Sequence, residues 1–430
     1  MKTSKTNPLV IPDLIYLERY VNVGTRTYSK LSSYTELPEQ YRPETHEIPF
    51  FEIQLFTLPR LYVECTVANP SSALYNHFIH NDEINVSFAV HPVVFEVNKT
   101  NPSPWIHLLQ NPRQHLKTSL LRVTPFASSR SLLALDLFTK TNRPLPPFVV
   151  KCHCPVRISR YCRNLGPRTI HHSILMSGEL ESIDIPILPE TIGISLPATK
   201  DGKYGWGFLI REMTPRPIIL HRETKLIPCF SLYGLDLHHL DDEPLLIQLI
   251  RHQSKKSPAD YVLDYIMIPI IQNFCRAFLH LGILLEAHGQ NVLLEIDSNT
   301  NEPLRVVHRD FDLVVDSRIR RARGLQLESF SQLKFKHGLS DDQPEGGWLS
   351  MIYDSSIGHH HFSYLAKLIE NYFSIPASFV QEQCQKAFIE AFPNSKDYFP
   401  EEIHYYSDTP IDEDIYPVVS TGKKPIWRPS

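Results

Sequence analysis

The chain has 430 residues, 43 of them basic and 47 acidic, a formal net charge of -4 and 42% hydrophobic content. That length predicts two or three lobes with real cores. The charge balance excludes a general nucleic-acid binder, whose footprint would be strongly basic.

Seven cysteines (Cys65, Cys152, Cys154, Cys162, Cys229, Cys275, Cys384) are an odd, scattered set, which argues against a disulfide framework and for reduced thiols. The segment from Met1 to Pro12 lacks the basic start, apolar core and cleavage site of a signal peptide. No apolar run approaches the roughly 20 residues that span a bilayer. The expectation is a soluble, cytoplasmic protein with no membrane partner; secretion by a signal-less route is invisible to composition. Proline is abundant (35) and glycine scarce (16), yet the prolines form no low-complexity tract and no repeat of fixed period is present.

In chain order, residues 1–48 predict a loop-rich leading segment with a short helix near Leu14 to Val21. Strand-like runs bounded by turn residues follow: Phe50–Thr57, Leu61–Val67, Asn85–Val97 with an interruption at Pro92, Ser131–Thr139, Phe148–Ser159 and Tyr204–Met213. The character changes after Asp241. Ile266, Ile270, Phe274, Phe278 and Leu281 recur at helical spacing and predict one long buried helix from Pro258 to near Gly289, disturbed at Pro269. Two strands follow, Asn291–Ile296 and Leu304–Val307, joined by the turn Asp297-Ser-Asn-Thr-Asn301. Helices over Phe362–Phe373 and Pro376–Phe392 and an acidic, aromatic tail lying as a surface wrap complete the chain. The pattern divides at residues 1–48, 49–240 and 241–430: a leading segment, a strand-rich lobe and a helix-rich lobe with a small sheet. A ligand cleft is expected between the lobes.

Two polar constellations stand out. The first is Glu286-Ala-His-Gly-Gln-Asn291 with Val307-His-Arg-Asp-Phe-Asp312, each piece at the end of a regular element, where polar groups converge on rigid supports. An Asn and an Asp on adjacent strand ends suit Mg²⁺ held between protein oxygen and phosphate. A His and an Arg beside them suit a phosphoryl oxygen. A polar cap on a buried helix is the plainer alternative. The second is basic: Arg130, Lys151, Arg157, Arg160 and Arg163. Arg130 sits in the hydroxyl-rich turn Ala127-Ser-Ser-Arg-Ser131. Strand alternation would put Lys151, His153, Pro155 and Arg157 on one face. A triphosphate needs such a set; a solvated basic surface is the alternative. Cys152-His-Cys154 with Cys162 invites a zinc reading but lacks paired C-x-x-C spacing. His359-His-His361 reads first as surface, and His171-His172 and His238-His239 add little. No G-x-S-x-G elbow supports a serine hydrolase.

These residues resemble a known family, the NRPS-independent siderophore synthetases of the IucA/IucC type. Its E-x-H-x-Q-N signature, followed after a hairpin by R-D, is matched by Glu286, His288, Gln290, Asn291, Arg309 and Asp310. Its S-x-R-T is matched by Ser128, Arg130 and Ser131, with Ser in place of Thr. Its lysine strand ending in arginine is matched by Lys151 and Arg163. Tyr204–Pro215, Phe88-Ala-Val-His91-Pro92 and Tyr41-Arg-Pro-Glu44 resemble further segments, in order, so the likeness runs from about residue 34 to 390. The family's H-P-x-H-P-x-x-K-x-R-like segment has no counterpart; Gly24 to Ser33 takes its place.

The resemblance implies an α+β cupped-hand fold with a strand-rich fingers lobe and a helix-rich palm lobe, the thumb largely missing. It implies ATP and Mg²⁺ as cofactors. Ser128, Arg130, Ser131, Lys151, Arg163, His288, Gln290, Asn291, Arg309 and Asp310 would bind nucleotide, with Arg163, His288 and Arg130 acting in catalysis. Glu286, Asn291 and Asp310 would hold the metal. The implied reaction is adenylation of a polycarboxylic acid such as citrate, then condensation with an amine or alcohol. Its partners are those small molecules, with a homodimer as the implied assembly. A nucleotide-binding homologue without ligase activity and a kinase-like phosphotransferase stay open as alternatives.

Overall fold

The computed structural model describes residues 9–26, 36–43, 50–80, 84–97, 104–110, 117–138, 144–159, 161–197, 205–252, 256–326, 345–407, 409 and 416–430. Glu44, Arg160, Tyr204 and the stretch 27–33, all invoked above, lie outside them.

Eight strands build one large sheet: β1 (Phe51–Pro59), β2 (Glu64–Val67), β3 (Asn85–Val90), β4 (Lys117–Pro125), β5 (Ser131–Ala134), β6 (Phe148–Cys152), β7 (Glu190–Ser195) and β8 (Gly207–Glu212). Their order is β2-β7-β8-β6-β5-β4-β1-β3, and every neighbouring pair is antiparallel. The sheet curls, so that β3 returns against β8 and β6. Inside the curl, Phe148 and Val150 of β6 pack with Phe78, Phe88, Phe208 and Ile210. Alternation sends Val149 and Lys151 to the other face.

The second half carries a smaller antiparallel sheet of β9 (Thr224–Pro228), β10 (Val292–Asp297) and β11 (Pro303–His308), in that order. β9 precedes residue 241, so this sheet takes a strand from earlier in the chain. The β10–β11 turn forms as expected, with the Asp297 carboxylate accepting from the amides of Asn299 (2.9 Å) and Thr300 (3.0 Å). The two sheets meet at a small apolar seam in which Phe126, Val149, Leu188 and Met213 pack against Leu293 and Val307. That seam holds the end of the β10–β11 hairpin against the outer face of β6.

Several elements differ from the sequence reading. The core helix runs from Pro258 and stops at Leu281, not near Gly289. Gly282 turns left-handed (φ 65°) and its amide closes on the Phe278 carbonyl at 2.8 Å. Ile283–Leu284 then pairs with Val314–Val315. The disturbance ahead of Pro269 is a π-helical turn, Leu263–Met267, which accommodates the missing amide donor. By length and composition this 24-residue helix could cross a membrane. It is instead packed in the largest core, through Ile266, Ile270, Phe274, Phe278 and Leu281.

The run Phe148–Ser159 is two strands, because the chain breaks at His153. The second, Cys154–Ile158, leaves the sheet and pairs with Tyr161–Arg163. Pro155 and Arg157 therefore do not continue the face of Lys151. Val93–Val97 is helical despite its valines, entered through His91, whose Nδ1 accepts from the Val93 amide at 3.1 Å. The tail is more than a surface wrap. Trp427 is 2% exposed, and Arg428 makes a buried ion pair with Asp354 at 2.9 Å. The helices Ser72–Phe78, Pro167–Ser182 and Leu245–His252 were not anticipated.

Candidate active site

Where the end of the β10–β11 hairpin meets the large sheet, a cavity of about 330 Å³ opens. Ser128, Arg130 and Ser131, from the turn before β5, and Ser159 and Arg163, from the Cys154–Arg163 ribbon, line one side. Glu286, His288, Gln290 and Asn291, leading into β10, and Asp310 and Asp312, leaving β11, line the other. Arg26 also lines it. Of the residues that the resemblance assigns to nucleotide, catalysis or metal, all but Lys151 and Arg309 therefore share this cavity, whereas Arg157 of the basic constellation is not among its lining residues.

Local folding explains the convergence. The turn before β5 is closed by the Phe126 amide on the Ser131 carbonyl (2.9 Å) and by the Ser129 amide on the Phe126 carbonyl (2.8 Å), with Ser129 left-handed at φ 64°. Arg130 bridges to the ribbon, donating to the carbonyls of Arg163 (3.4 Å) and Asn164 (3.3 Å). Opposite, the Asn291 amide donates to the His288 carbonyl, and the Arg309 amide to the Asn291 carbonyl, both at 2.9 Å. The loop packs so closely that a Cβ on Gly289 would lie 2.1 Å from the Tyr233 hydroxyl. His361, from a π-helix spanning Met351–Phe362, is hydrogen-bonded through Nδ1 to the Ala287 carbonyl at 3.0 Å. Ser129, Ser159 (φ 61°) and Asp310 (φ 70°) all hold left-handed backbone that non-glycine residues adopt at a cost, a concentration typical of functional sites.

Lys151 and Arg309 act beneath the surface. Val149 is buried in the seam, and Lys151, two residues on, reaches the hairpin end on the same face. Its ammonium, 1% exposed, is paired with the Asp310 carboxylate. Arg211, itself paired with buried Glu190 at 2.5 Å, lies 3.8 Å from the same carboxylate. Arg309 is bound to buried Glu18 at 2.5 Å and donates through Nε to the Gln290 carbonyl at 2.8 Å. Glu18 also accepts from the Ala127 amide at 3.2 Å, joining the two sides of the cavity. Sequence reasoning missed Glu18, Glu190, Arg211 and Arg26 as site elements. The usable signal was a charged residue inside an apolar run, as with Glu18 between Leu17 and Val21 or Arg211 after Leu209-Ile210.

The electrostatics divide the cavity. Burial would raise the Asp310 carboxyl, but Lys151, Arg211 and Arg130 hold it well below the usual carboxylate range. Burial, and the neighbouring charge of Arg130, lower Arg163 to about 10. Burial and Arg26 lower His288 to about 4, leaving a neutral imidazole at pH 7. Glu286 is pushed up to about 8 by burial and by Asp310 and Asp312.

Among the described residues, no three His, Cys, Asp or Glu side chains converge as a metal-binding group. The donors of the cavity are nevertheless hard oxygens: Glu286, Asp310, Asp312 and the Asn291 amide. They fit a cation such as Mg²⁺ whose shell is completed by phosphate and water, not a closed protein cage. Cys152 and Cys154 are buried, and His153 between them stacks on Trp206 at 5.1 Å while accepting from the Leu165 amide.

The raised Glu286 gives a prediction. A carboxyl with a folded pKa near 8 and an ordinary value of 4.5 contributes stability that is complete below the lower value and lost as pH rises to the upper one. In thermal melts without added metal, Glu286→Gln should therefore remove the alkaline decline. It should melt above the parent at pH 8.5 and close to it at pH 5. Parallel profiles for the two proteins would refute this.

Residues 262–378 match the family described as "Ferric iron reductase FhuF-like transporter". No curated protein matches the chain by sequence. Among solved structures, the petrobactin biosynthesis protein AsbB from Bacillus anthracis superposes with a TM-score of 0.63 at 15% identity, over 83% of this chain and 64% of that one. ATP-bound aerobactin synthetase IucA from a hypervirulent pathotype of Klebsiella pneumoniae gives 0.61 at 12% identity, over 86% and 69%. Aerobactin synthetase IucC from the same source gives 0.59 at 15%, over 90% and 71%. The chain thus spans under two thirds of the length of AsbB. A curled antiparallel sheet set against a helical half with a small sheet is common ground, and this chain has the fold of the NRPS-independent siderophore synthetases.

Proposed function

We propose that the chain is an ATP-dependent ligase of siderophore biosynthesis. It would adenylate a polycarboxylic acid of the citrate type, then pass the acyl group to an amine or alcohol. The observation that carries this reading is the single cavity in which Arg130 and Arg163 face His288, Asn291 and Asp310. A relative of the same fold is described as ATP-bound.

In this reading Arg130 and Arg163 take up triphosphate charge, so that one anion, the acid's carboxylate, can attack another, the α-phosphate. The new acyl–phosphate bond forms as the bond to pyrophosphate breaks. The nucleophile then displaces AMP. His288, neutral at pH 7, would donate a hydrogen bond to a phosphoryl oxygen without competing for protons. The Asn291 amide would do the same from the adjacent strand end. Bound Mg²⁺ would shield the phosphate oxygens. Asp310 and Asn291 would hold it, and Lys151 would fix Asp310 in place from below.

The test is acid-dependent exchange of labelled pyrophosphate into ATP. Purified protein should exchange with at least one polycarboxylic acid and release AMP, not ADP, when an amine is supplied. Folded protein that exchanges with none would overturn the ligase. A second reading is a homologue that binds nucleotide without turnover. Tight ATP binding without exchange would select it, whereas ADP release would select a kinase-like transfer.

A further inference from the structure

We infer that His361 is a positioning residue for the nucleotide: it fixes the Ala287–His288 peptide, and Trp427 and Arg428 fix the π-helix Met351–Phe362 that carries it. The inference rests on the nucleotide-binding part of the ligase reading. None of the three residues lines the cavity.

The π-helix grips the loop before β10 at two points. The Ala287 carbonyl can only accept, so His361 Nδ1 carries the proton and donates to it at 3.0 Å. The ring is fully buried and its Nε2 has no hydrogen-bond partner among the described residues, so the Ala287 bond sets its orientation. Two residues along the loop, Gly289 packs against the Tyr233 hydroxyl. That hydroxyl donates to the His360 carbonyl at 3.4 Å, while the Tyr233 ring stacks on Tyr364 at 4.8 Å. Consecutive residues of a wide helical turn, a form common at functional sites, thus serve one loop. Between the two grips stands His288, whose imidazole lines the cavity.

Residues 427 and 428 hold the π-helix in turn. The Trp427 ring lies against Gly358, where a Cβ would come within 2.5 Å of it, and meets Phe362 edge-on at 5.5 Å. Gly358 and Phe362 bracket His361, so the indole fixes the turn from which the imidazole reaches Ala287. The Trp427 carbonyl accepts from the Tyr353 hydroxyl at 3.2 Å. Arg428 pairs with Asp354 of the same helix at 2.9 Å and donates to the Pro400 carbonyl at 2.8 Å. Both charges are buried, so sliding the helix would strand them. A neutral donor aimed at a phosphoryl oxygen needs this rigidity, since misplacement by about 1 Å can cost about 100-fold in rate.

Calorimetry of the full chain with α,β-methylene-ATP and Mg²⁺, well below each variant's melting temperature, tests this. His361→Phe keeps a ring and removes the donor; it should weaken binding about 10-fold, the scale of one buried hydrogen bond. His361→Asn, whose amide nitrogen can stand where Nδ1 does, should recover most of the affinity. In a His288→Ala background the same His361→Phe change should cost less than about twofold, because the two residues act as a unit. Trp427→Leu acts on the helix from outside the loop and should show the same dependence on His288, which keeps the test open where His361→Phe does not fold. A folded His361→Phe that binds like the parent would overturn the inference. So would an equal loss with and without His288, the signature of a residue that only supports the fold. A parent that binds no ATP analogue would overturn it together with the nucleotide reading. Losses that depend on His288, in a chain that exchanges no pyrophosphate with any polycarboxylic acid, would support the positioning role and remove the ligase.

Discussion

Asp310→Ala should be among the most damaging single substitutions in the site, lowering both stability and nucleotide turnover. The Lys151 ammonium is 1% exposed, and Arg211, 2% exposed, is 3.8 Å from the same carboxylate. Removing Asp310 leaves a buried ammonium without its counter-charge, a change that typically costs about 3–5 kcal/mol. The Asp310 side chain is itself 32% exposed to the cavity, so water screens the pair and the lower end of that range applies. The left-handed backbone at Asp310 adds to the cost, because alanine tolerates it less well than aspartate or asparagine by about 1 kcal/mol. Turnover in the exchange assay should fall by about 100-fold or more, the scale seen when one preorganised electrostatic contact is lost.

The double variant Lys151→Met/Asp310→Asn separates the two roles. It removes both charges together and keeps a residue suited to φ > 0, so most of the stability should return while turnover does not. Urea denaturation and the exchange assay, run on the parent and both variants, decide it. Parent-like turnover in the double variant would make the pair purely structural. Parent-like stability in Asp310→Ala would mean that Lys151 finds other compensation.

Much of the site was legible because its residues stand at the ends of regular elements. Glu286, His288, Gln290 and Asn291 precede a strand of clear apolar character, and Asp310 follows its partner. The local pattern alone puts them side by side once the hairpin is recognised. What was illegible depends on residues far apart in the chain. Pro155 was the nearby sign that the run Phe148–Ser159 is not one interior strand, but it does not place the break at His153; the Trp206 ring on which His153 stacks lies more than fifty positions away. Lys151 reads as a nucleotide-facing cation because its partner, Asp310, is supplied by the other half of the molecule. Arg309 reads the same way until Glu18 is seen against it. The π-helix Met351–Phe362 leaves no periodic signature in its sequence, so the histidine run looked like surface. Charges inside apolar runs are the class that sequence reading undervalued, since their worth is set by partners that only the fold reveals.

Glu18 follows from that lesson and carries the second large prediction. It is fully buried on the short helix Leu14–Tyr20, between the Arg309 guanidinium and the Ala127 amide. Its neighbour Arg19 donates to the Thr124 hydroxyl at 2.8 Å, so the helix is pinned to the end of β4 at two points. Glu18 touches no position a substrate would occupy; it acts through the hydroxyl-rich turn on one side and Gln290 and Asn291 on the other. Glu18→Ala would strand the Arg309 charge, 5% exposed, beside the Gln290 carbonyl and the Phe126 ring, at a cost of about 3–5 kcal/mol. Well below its melting temperature the variant should still raise the KM for ATP, because both walls lose their common anchor, while kcat at saturating ATP falls less. Glu18→Gln, which keeps an acceptor for the Ala127 amide, should show a smaller rise. A merely structural residue would lower the melting temperature and leave KM alone. A double-mutant cycle with Arg309→Gln measures whether the pair acts as a unit. Coupling in the ATP term below about 0.5 kcal/mol would show that the two residues contribute independently, and Glu18 would then lose its role in aligning the cavity.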